Sequence, residues 1–164
     1  MLQHNTAPFG CLRVAREYFD SATLVQRPAE SYAQALRQKL SFPAYFLVGH
    51  AIELALKAFL LGRGMTIDIL RSRKYGHNLD ALLSEARRRK LGTFVKLSNA
   101  ELQAIVVLNQ CYSAKEFEYS ATGVRRLPHY ADIYAIADRL TRGLRKFCLK
   151  LATPRATKVT RKRG

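Results

Sequence analysis

The sequence predicts an all-α protein, an antiparallel bundle of four to five helices. Three observations carry this. Apolar residues recur at i, i+3, i+4 and i+7 through most of the chain, the period of amphipathic helices. Serine, asparagine, proline and glycine stand at the ends of those stretches, where helices start and stop. No pair of alternating strands joined by a hairpin turn occurs, and no internal repeat is visible.

The first helix runs from about Gly10 to Val25, with Leu12, Ala15, Tyr18, Phe19, Ala22 and Val25 at helical spacing, and Gln26-Arg27-Pro28 closes it. Ser31–Leu40 repeats the pattern through Tyr32, Leu36 and Leu40. Ser41-Phe42-Pro43 restarts the chain, with Pro43 in the first turn of a long helix that Gly62 and Gly64 stop. The stretch Arg63–His77 reads as a connector rich in arginine and lysine. Asn78 caps a helix Leu79–Lys90 whose apolar face is Leu79, Leu82, Leu83 and Ala86, and Gly92 ends it. Ser98 and Glu101 form a capping box for a helix reaching about Tyr112, with Leu102, Ile105, Val106 and Leu108 toward the core. Ser113–Pro128 has no helical period. The last helix, about Tyr130–Leu151, carries Ile133, Ile136, Ala137, Leu140, Leu144, Phe147, Cys148 and Leu151 as one stripe. Its acids (Asp132, Asp138) come early and its bases (Arg142, Arg145, Lys146, Lys150) late, which suits the helix dipole.

A chain of 164 residues suits one domain with a real core. The division expected is a helical domain over 1–152 and a basic tail over 153–164, which has little to bury. The charge is strongly unbalanced: 28 Lys and Arg against 12 Asp and Glu, a net +16. Removing the tail's five cations (Arg155, Lys158, Arg161, Lys162, Arg163) from +16 leaves +11, so the body is basic as well. Such a field favours polyanions: RNA, DNA, anionic lipid or an acidic protein. Cys11, Cys111 and Cys148 are odd in number and form no C-x-x-C. Cys111 and Cys148 read as small core hydrophobes in a reducing compartment. The start MLQHNTAPFG lacks the features of a signal peptide.

The stretch Ala44–Leu61 is apolar almost all round, yet His50, Glu53 and Lys57 lie along one stripe of it. Burying a carboxylate and an ammonium costs several kcal/mol per ion unless they are paired or wet. The stripe is therefore either an i, i+4 ion pair with a satisfied histidine beside it, or the polar wall of a cleft or subunit interface. The helix is nearly long enough to span a bilayer. Ionised groups near its middle are penalised by roughly 2.5–3.5 kcal/mol each, so a cytoplasmic core helix without stable membrane insertion is expected.

The block YFLVGHAIELALKAFLLGRG, the short basic connector and GHNLDALLSEA resemble the heart of a HEPN domain. The likeness lies in His50, Glu53-Leu54, Leu56-Lys57-Ala58 and Leu61, then His77-Asn78-Leu79. The stretch from Tyr112 through Lys115, Phe117, Tyr119 and Pro128 into an amphipathic helix resembles that family's C-terminal half, so roughly residues 10–150 are covered. The resemblance implies a small helical bundle, often dimeric. Many such domains are metal-independent ribonucleases of defence or toxin–antitoxin systems; others are non-catalytic binding or dimerisation modules. Active members carry R-x(4–6)-H on a late helix, and two motifs meet across the dimer. The imidazole then serves as general acid or base at the 2′-hydroxyl while arginine stabilises phosphate charge.

This chain departs from that pattern. Arg71-Ser-Arg-Lys-Tyr-Gly-His77 satisfies R-x5-H by count, but it lies in the connector before Leu79–Lys90. Only Ser72 follows the arginine, and Arg125 and Arg126 stand too close to His129 to form the motif late in the chain. Under the ribonuclease reading, His77 is the general acid/base, Arg71 or Arg73 the phosphate stabiliser, and the product ends in a 2′,3′-cyclic phosphate. Further candidate phosphate contacts are Arg87, Arg88, Arg89 and Lys90 at a helix end, and Lys115, Arg125 and Arg126 near Phe117 and Tyr119. The competing readings are a solvated helix face for the first group and aromatic cover over the bundle end for the second. Phosphate-loop, dinucleotide and H-E-x-x-H motifs and Cys/His metal spacings are absent, so no metal or cofactor is expected. The expected partners are RNA or another polyanion and a second copy of the chain. The alternative is a non-catalytic module bound to an acidic protein, such as an antitoxin, or working beside a nucleotidyltransferase. Membrane-surface binding by the tail is disfavoured because it lacks Trp, Phe and Leu.

Overall fold

The computed structural model describes residues 7–119 and 126–152. Every regular element among them is helical: α1 (Pro8–Val25), α2 (Tyr32–Arg37), α3 (Phe42–Gly62), α4 (Ile67–Arg71), α5 (Leu79–Arg88), α6 (Asn99–Ser113), α7 (Tyr130–Gly143) and α8 (Arg145–Ala152). A turn of 3-10 helix, Leu91–Thr93, follows α5.

The central element is α3. It touches α1, α5, α6, α7 and α8, and its broadest contact is with α1. Its alanines Ala44, Ala51, Ala55 and Ala58 are fully buried, as are Ala15 and Ala22 of α1. Small side chains let helix axes approach closely, and Cys11 Sγ on α1 donates to the Leu54 carbonyl of α3 at 3.4 Å. The larger residues Ile52, Leu56, Phe59 and Leu60 fill the interior with Leu79, Leu82, Ile105, Leu108, Ile133 and Ile136. Each such side chain contributes about 1.5–3 kcal/mol by leaving water. α3 is long and apolar enough to cross a membrane, but 72% of its most apolar window is buried inside this fold.

The helix boundaries follow local chemistry. Ser41 Oγ accepts from the Ala44 amide at the start of α3. The helix closes through amides of Gly64 and Met65 donating to the carbonyls of Leu61 and Leu60. Gly64 has φ +87°, which a side chain would oppose. Ser98 and Glu101 make the reciprocal capping box on α6.

Four expectations need correction. The pattern at Ser31–Leu40 forms helix only over Tyr32–Arg37, with Tyr32 exposed and Leu40 half exposed. The stretch Arg63–His77 holds a helix, α4, started by Thr66 Oγ1 accepting from the Ile69 amide. Its five residues are too few for periodicity to reveal. Lys90 (φ 68°), not Gly92, takes the left-handed position after α5. Lys115 (φ 58°) does the same after α6. The last helix is divided at Leu144 into α7 and α8, and Leu151 at its end is exposed. All three cysteines are buried, and none is in a disulfide. Burial pushes the thiols of Cys11 and Cys148 up, to about 11 and about 12.

Candidate functional site

The polar stripe of α3 meets the turn before α5 and the last turn of α6. Glu53 stands at the centre, its side chain 2% exposed. Lys57 Nζ, one helical turn later, donates to Glu53 Oε1 at 2.5 Å and to the Gly76 carbonyl at 2.7 Å. The Tyr112 hydroxyl donates to Oε2 at 2.5 Å. His77 Nδ1 lies 3.1 Å from the same oxygen. His50 Nδ1 lies 2.9 Å from the Tyr112 hydroxyl and 3.5 Å from Oε2.

Donor accounting assigns the imidazoles. A carboxylate only accepts, so His77 holds its proton on Nδ1. Tyr112 has one proton and gives it to Glu53, so its oxygen accepts from His50 Nδ1. In the neutral rings both Nε2 atoms therefore keep a lone pair. The His77 side chain is 52% exposed and that of His50 19%. Tyr18 meets His50 edge-on at 4.4 Å, and Phe46 stacks on it at 5.8 Å.

Neighbouring residues hold this arrangement. The turn ahead of α5 is tied at three points: the Gly76 carbonyl by Lys57, the His77 ring by Glu53, and the Leu79 amide by Asn109 Oδ1 at 2.8 Å. Asn78 Oδ1 caps α5 through the Ala81 amide and accepts from Asn109 Nδ2 at 3.3 Å. Two of the amides a helix start leaves open are thus satisfied. Gly49 admits the Tyr112 ring: a Cβ there would stand 2.8 Å from one ring carbon and 2.9 Å from another. Gly49→Ala should push the ring aside, loosen its bond to Glu53 and cost about 1–3 kcal/mol, measured as a lowered urea midpoint.

Burial raises the pKa of Glu53, but the His50 contact, the Lys57 charge and the bonds from Lys57 and Tyr112 outweigh it. Together they hold the carboxyl at about 2, against an ordinary 4.5. Burial and the adjacent Glu53 charge push the Tyr112 hydroxyl well above the ordinary phenol range. A carboxyl whose folded pKa lies below its unfolded value stabilises the fold fully above the unfolded value. That contribution is lost as pH falls through the folded one. The stabilisation from Glu53, roughly 3 kcal/mol, should therefore be intact above pH 4.5 and fade toward pH 2. Glu85, held near 2 by Arg88 and Arg89, titrates in the same window. Urea midpoints from pH 6 to 3 must therefore be compared with those of Glu53→Gln; equal acid losses in both proteins would refute the assignment to Glu53.

The other candidate residues divide. Arg71 ends α4 and Arg73 lies in the turn after it, both exposed in the segment leading to His77. The cationic run Arg87–Lys90 does not act as one patch. Arg88 forks onto Glu85 at 3.0 and 2.7 Å. Arg89 bonds the same carboxylate at 2.6 Å and the Arg63 carbonyl at 2.8 Å. Arg87 and Lys90 line a cleft with Lys96. Lys115 and Arg126 are exposed, and Arg125 and the tail 153–164 lie outside the described residues. Phe117 packs under Tyr45 with ring centres 5.9 Å apart, so this ring covers the bundle, while Tyr119 is exposed. Among the described residues no group of three or more His, Cys, Asp or Glu side chains is gathered for a metal ion.

Sequence reasoning did not place Tyr112, Asn109 or the Gly76 carbonyl in the site. The available signal was Asn109 and Tyr112 at i, i+3, polar groups sharing one face of a largely apolar helix.

Comparison with protein-family models, with curated proteins and with solved structures returns no match.

Proposed function

We propose that this chain is a HEPN-like, RNA-binding protein that cuts single-stranded RNA without a metal ion. The observation that carries the reading is the His77 ring. Its Nδ1 is held by the buried Glu53 carboxylate, and its side chain is half exposed. A carboxylate that fixes the tautomer and orientation of an imidazole prepares it for general acid–base work. His77 Nε2 takes the proton of a ribose 2′-hydroxyl, and the 2′-oxygen attacks the adjacent phosphorus. The P–O5′ bond breaks and the leaving oxygen takes a proton from water or a second acid. The products are a 2′,3′-cyclic phosphate and a 5′-hydroxyl. Arg71 and Arg73 supply positive charge for the phosphate. The net charge of +16 supports a polyanion as ligand. In this reading the protein is a cytoplasmic homodimer of a prokaryotic defence or toxin–antitoxin setting.

The test is cleavage of an end-labelled single-stranded RNA in EDTA, with product ends identified chemically. Cyclic-phosphate ends are expected, with slower cutting by Arg71→Ala and Arg73→Ala. Hydrolytic ends, or no cutting at enzyme concentrations above the RNA, would sink the reading.

A second reading, a non-catalytic module that binds a protein partner, rests on exposed apolar side chains. Leu24 is 87% exposed and Tyr32 80%, with Val25 and Leu40 half exposed near them in sequence. Large exposed apolar groups mark interaction surfaces when they are contiguous.

A further inference from the structure

Two imidazoles from different elements meet one carboxylate oxygen. His77 Nδ1 comes to Glu53 Oε2 at 3.1 Å from the turn before α5, and His50 Nδ1 comes to it at 3.5 Å from α3 itself. The two Nδ1 atoms therefore stand no further apart than these contacts laid end to end. That is the scale of one phosphodiester and the hydrogen bonds at its sides. Both rings turn Nδ1 toward the buried carboxylate and carry Nε2 on the far edge.

The His50 ring is fixed from three helices. The Tyr112 hydroxyl of α6 takes its Nδ1 proton at 2.9 Å, Tyr18 of α1 meets it edge-on, and Phe46 of α3 stacks on it with the planes 8° apart. Packing between Tyr18 and Phe46 asks only for an apolar side chain, yet the position holds a titratable ring that partly reaches solvent. Protonation costs that ring no contact. An imidazolium donates from both nitrogens, so Nδ1 keeps Tyr112 while Nε2 gains a proton, and the Glu53 charge stands beside it.

We propose that His50 is the general acid that protonates the leaving 5′-oxygen. The inference rests on the RNA-cutting reading and names the second acid of that reaction. His77 Nε2 takes the 2′-hydroxyl proton as the bond from the 2′-oxygen to phosphorus forms. The P–O5′ bond breaks, and its electron pair takes the proton of His50 Nε2. His77 leaves the step as imidazolium and His50 as neutral imidazole. His77 then gives one proton to water and His50 takes one back, which restores both.

The experiment compares, in EDTA and under single turnover, two single-stranded RNAs that differ at one atom: an ordinary phosphodiester and one whose bridging 5′-oxygen is sulfur. A thiolate, whose thiol has a pKa of about 8.5, leaves without a proton, whereas an alkoxide needs one. His50→Asn and His50→Gln each offer an amide donor to Tyr112 but no acid. They should cut the ordinary RNA about 10²–10⁴-fold more slowly than the wild type, and the sulfur-bridged RNA as fast as the wild type. His77→Ala should be slow on both, because each substrate needs the base. Thermal unfolding identifies which of the two His50 variants is folded and so carries the comparison. Equal slowing of both RNAs by a folded His50 variant makes the ring a packing element and overturns the proposal, as does undiminished cutting of the ordinary RNA. Either result leaves the RNA-cutting reading standing. A wild type that cuts neither RNA overturns both.

Discussion

Replacing Glu53 by alanine should destabilise the protein by about 3–5 kcal/mol, the cost of leaving one member of a buried ion pair alone. Lys57, its side chain 11% exposed, would keep only the Gly76 carbonyl. The Tyr112 hydroxyl and the His77 ring would both lose their acceptor. The double variant Glu53→Ala with Lys57→Met should recover a large part of the loss, because the uncompensated charge is gone and the lysine stem is replaced by an apolar one. Urea unfolding of the two single variants and the double variant closes the cycle. If the double variant is as unstable as the sum of the singles, the pair is not coupled and the network is a set of independent bonds. The same cycle weighs the two readings of the α3 stripe. It is an ion pair with a satisfied histidine, as the simpler reading expects, and it also holds a second histidine at the surface.

His77→Ala should lower RNA cleavage by about 10²–10⁴-fold, the usual contribution of one general acid or base. Its effect on stability should be small. The ring is half exposed, and Glu53 keeps Lys57 and Tyr112 as partners. Melting curves therefore separate this variant from Glu53→Ala, which loses activity by unfolding. Glu53→Gln tests positioning more finely. An amide at position 53 can donate to His77 Nδ1 and so move the imidazole proton to Nε2, the wrong tautomer for a base. Cleavage should then fall while circular dichroism and thermal unfolding still report a folded protein. Full activity in folded His77→Ala would place the chemistry elsewhere in the molecule.

The helices were largely legible because their signals are local. Ser98 and Glu101 announce the start of α6, Asn78 that of α5, and Gly64 the end of α3. The apolar faces of α5 and α7 are continuous in sequence, and Leu79, Leu82, Leu83, Ile133, Ile136 and Leu140 are all buried. Where neighbours decide, periodicity misled. Tyr32 and Leu40 repeat at helical spacing, yet Tyr32 is 80% exposed and Leu40 half exposed. Lys90 occupies a position that composition assigned to Gly92, since sequence carries no record of φ.

The sequence by itself determined the helical class, most caps, the basic charge and the alignment of His50, Glu53 and Lys57 along one helix face. It also singled out His77. Only the tertiary structure decided that His77 bonds the same carboxylate as Tyr112, residues 24 and 59 positions from Glu53. It alone split the run Arg87–Lys90 between Glu85 and an open cleft. The reason is physical. Periodicity and capping act within a few residues of chain, whereas a buried charge is satisfied by whichever donors packing brings to it.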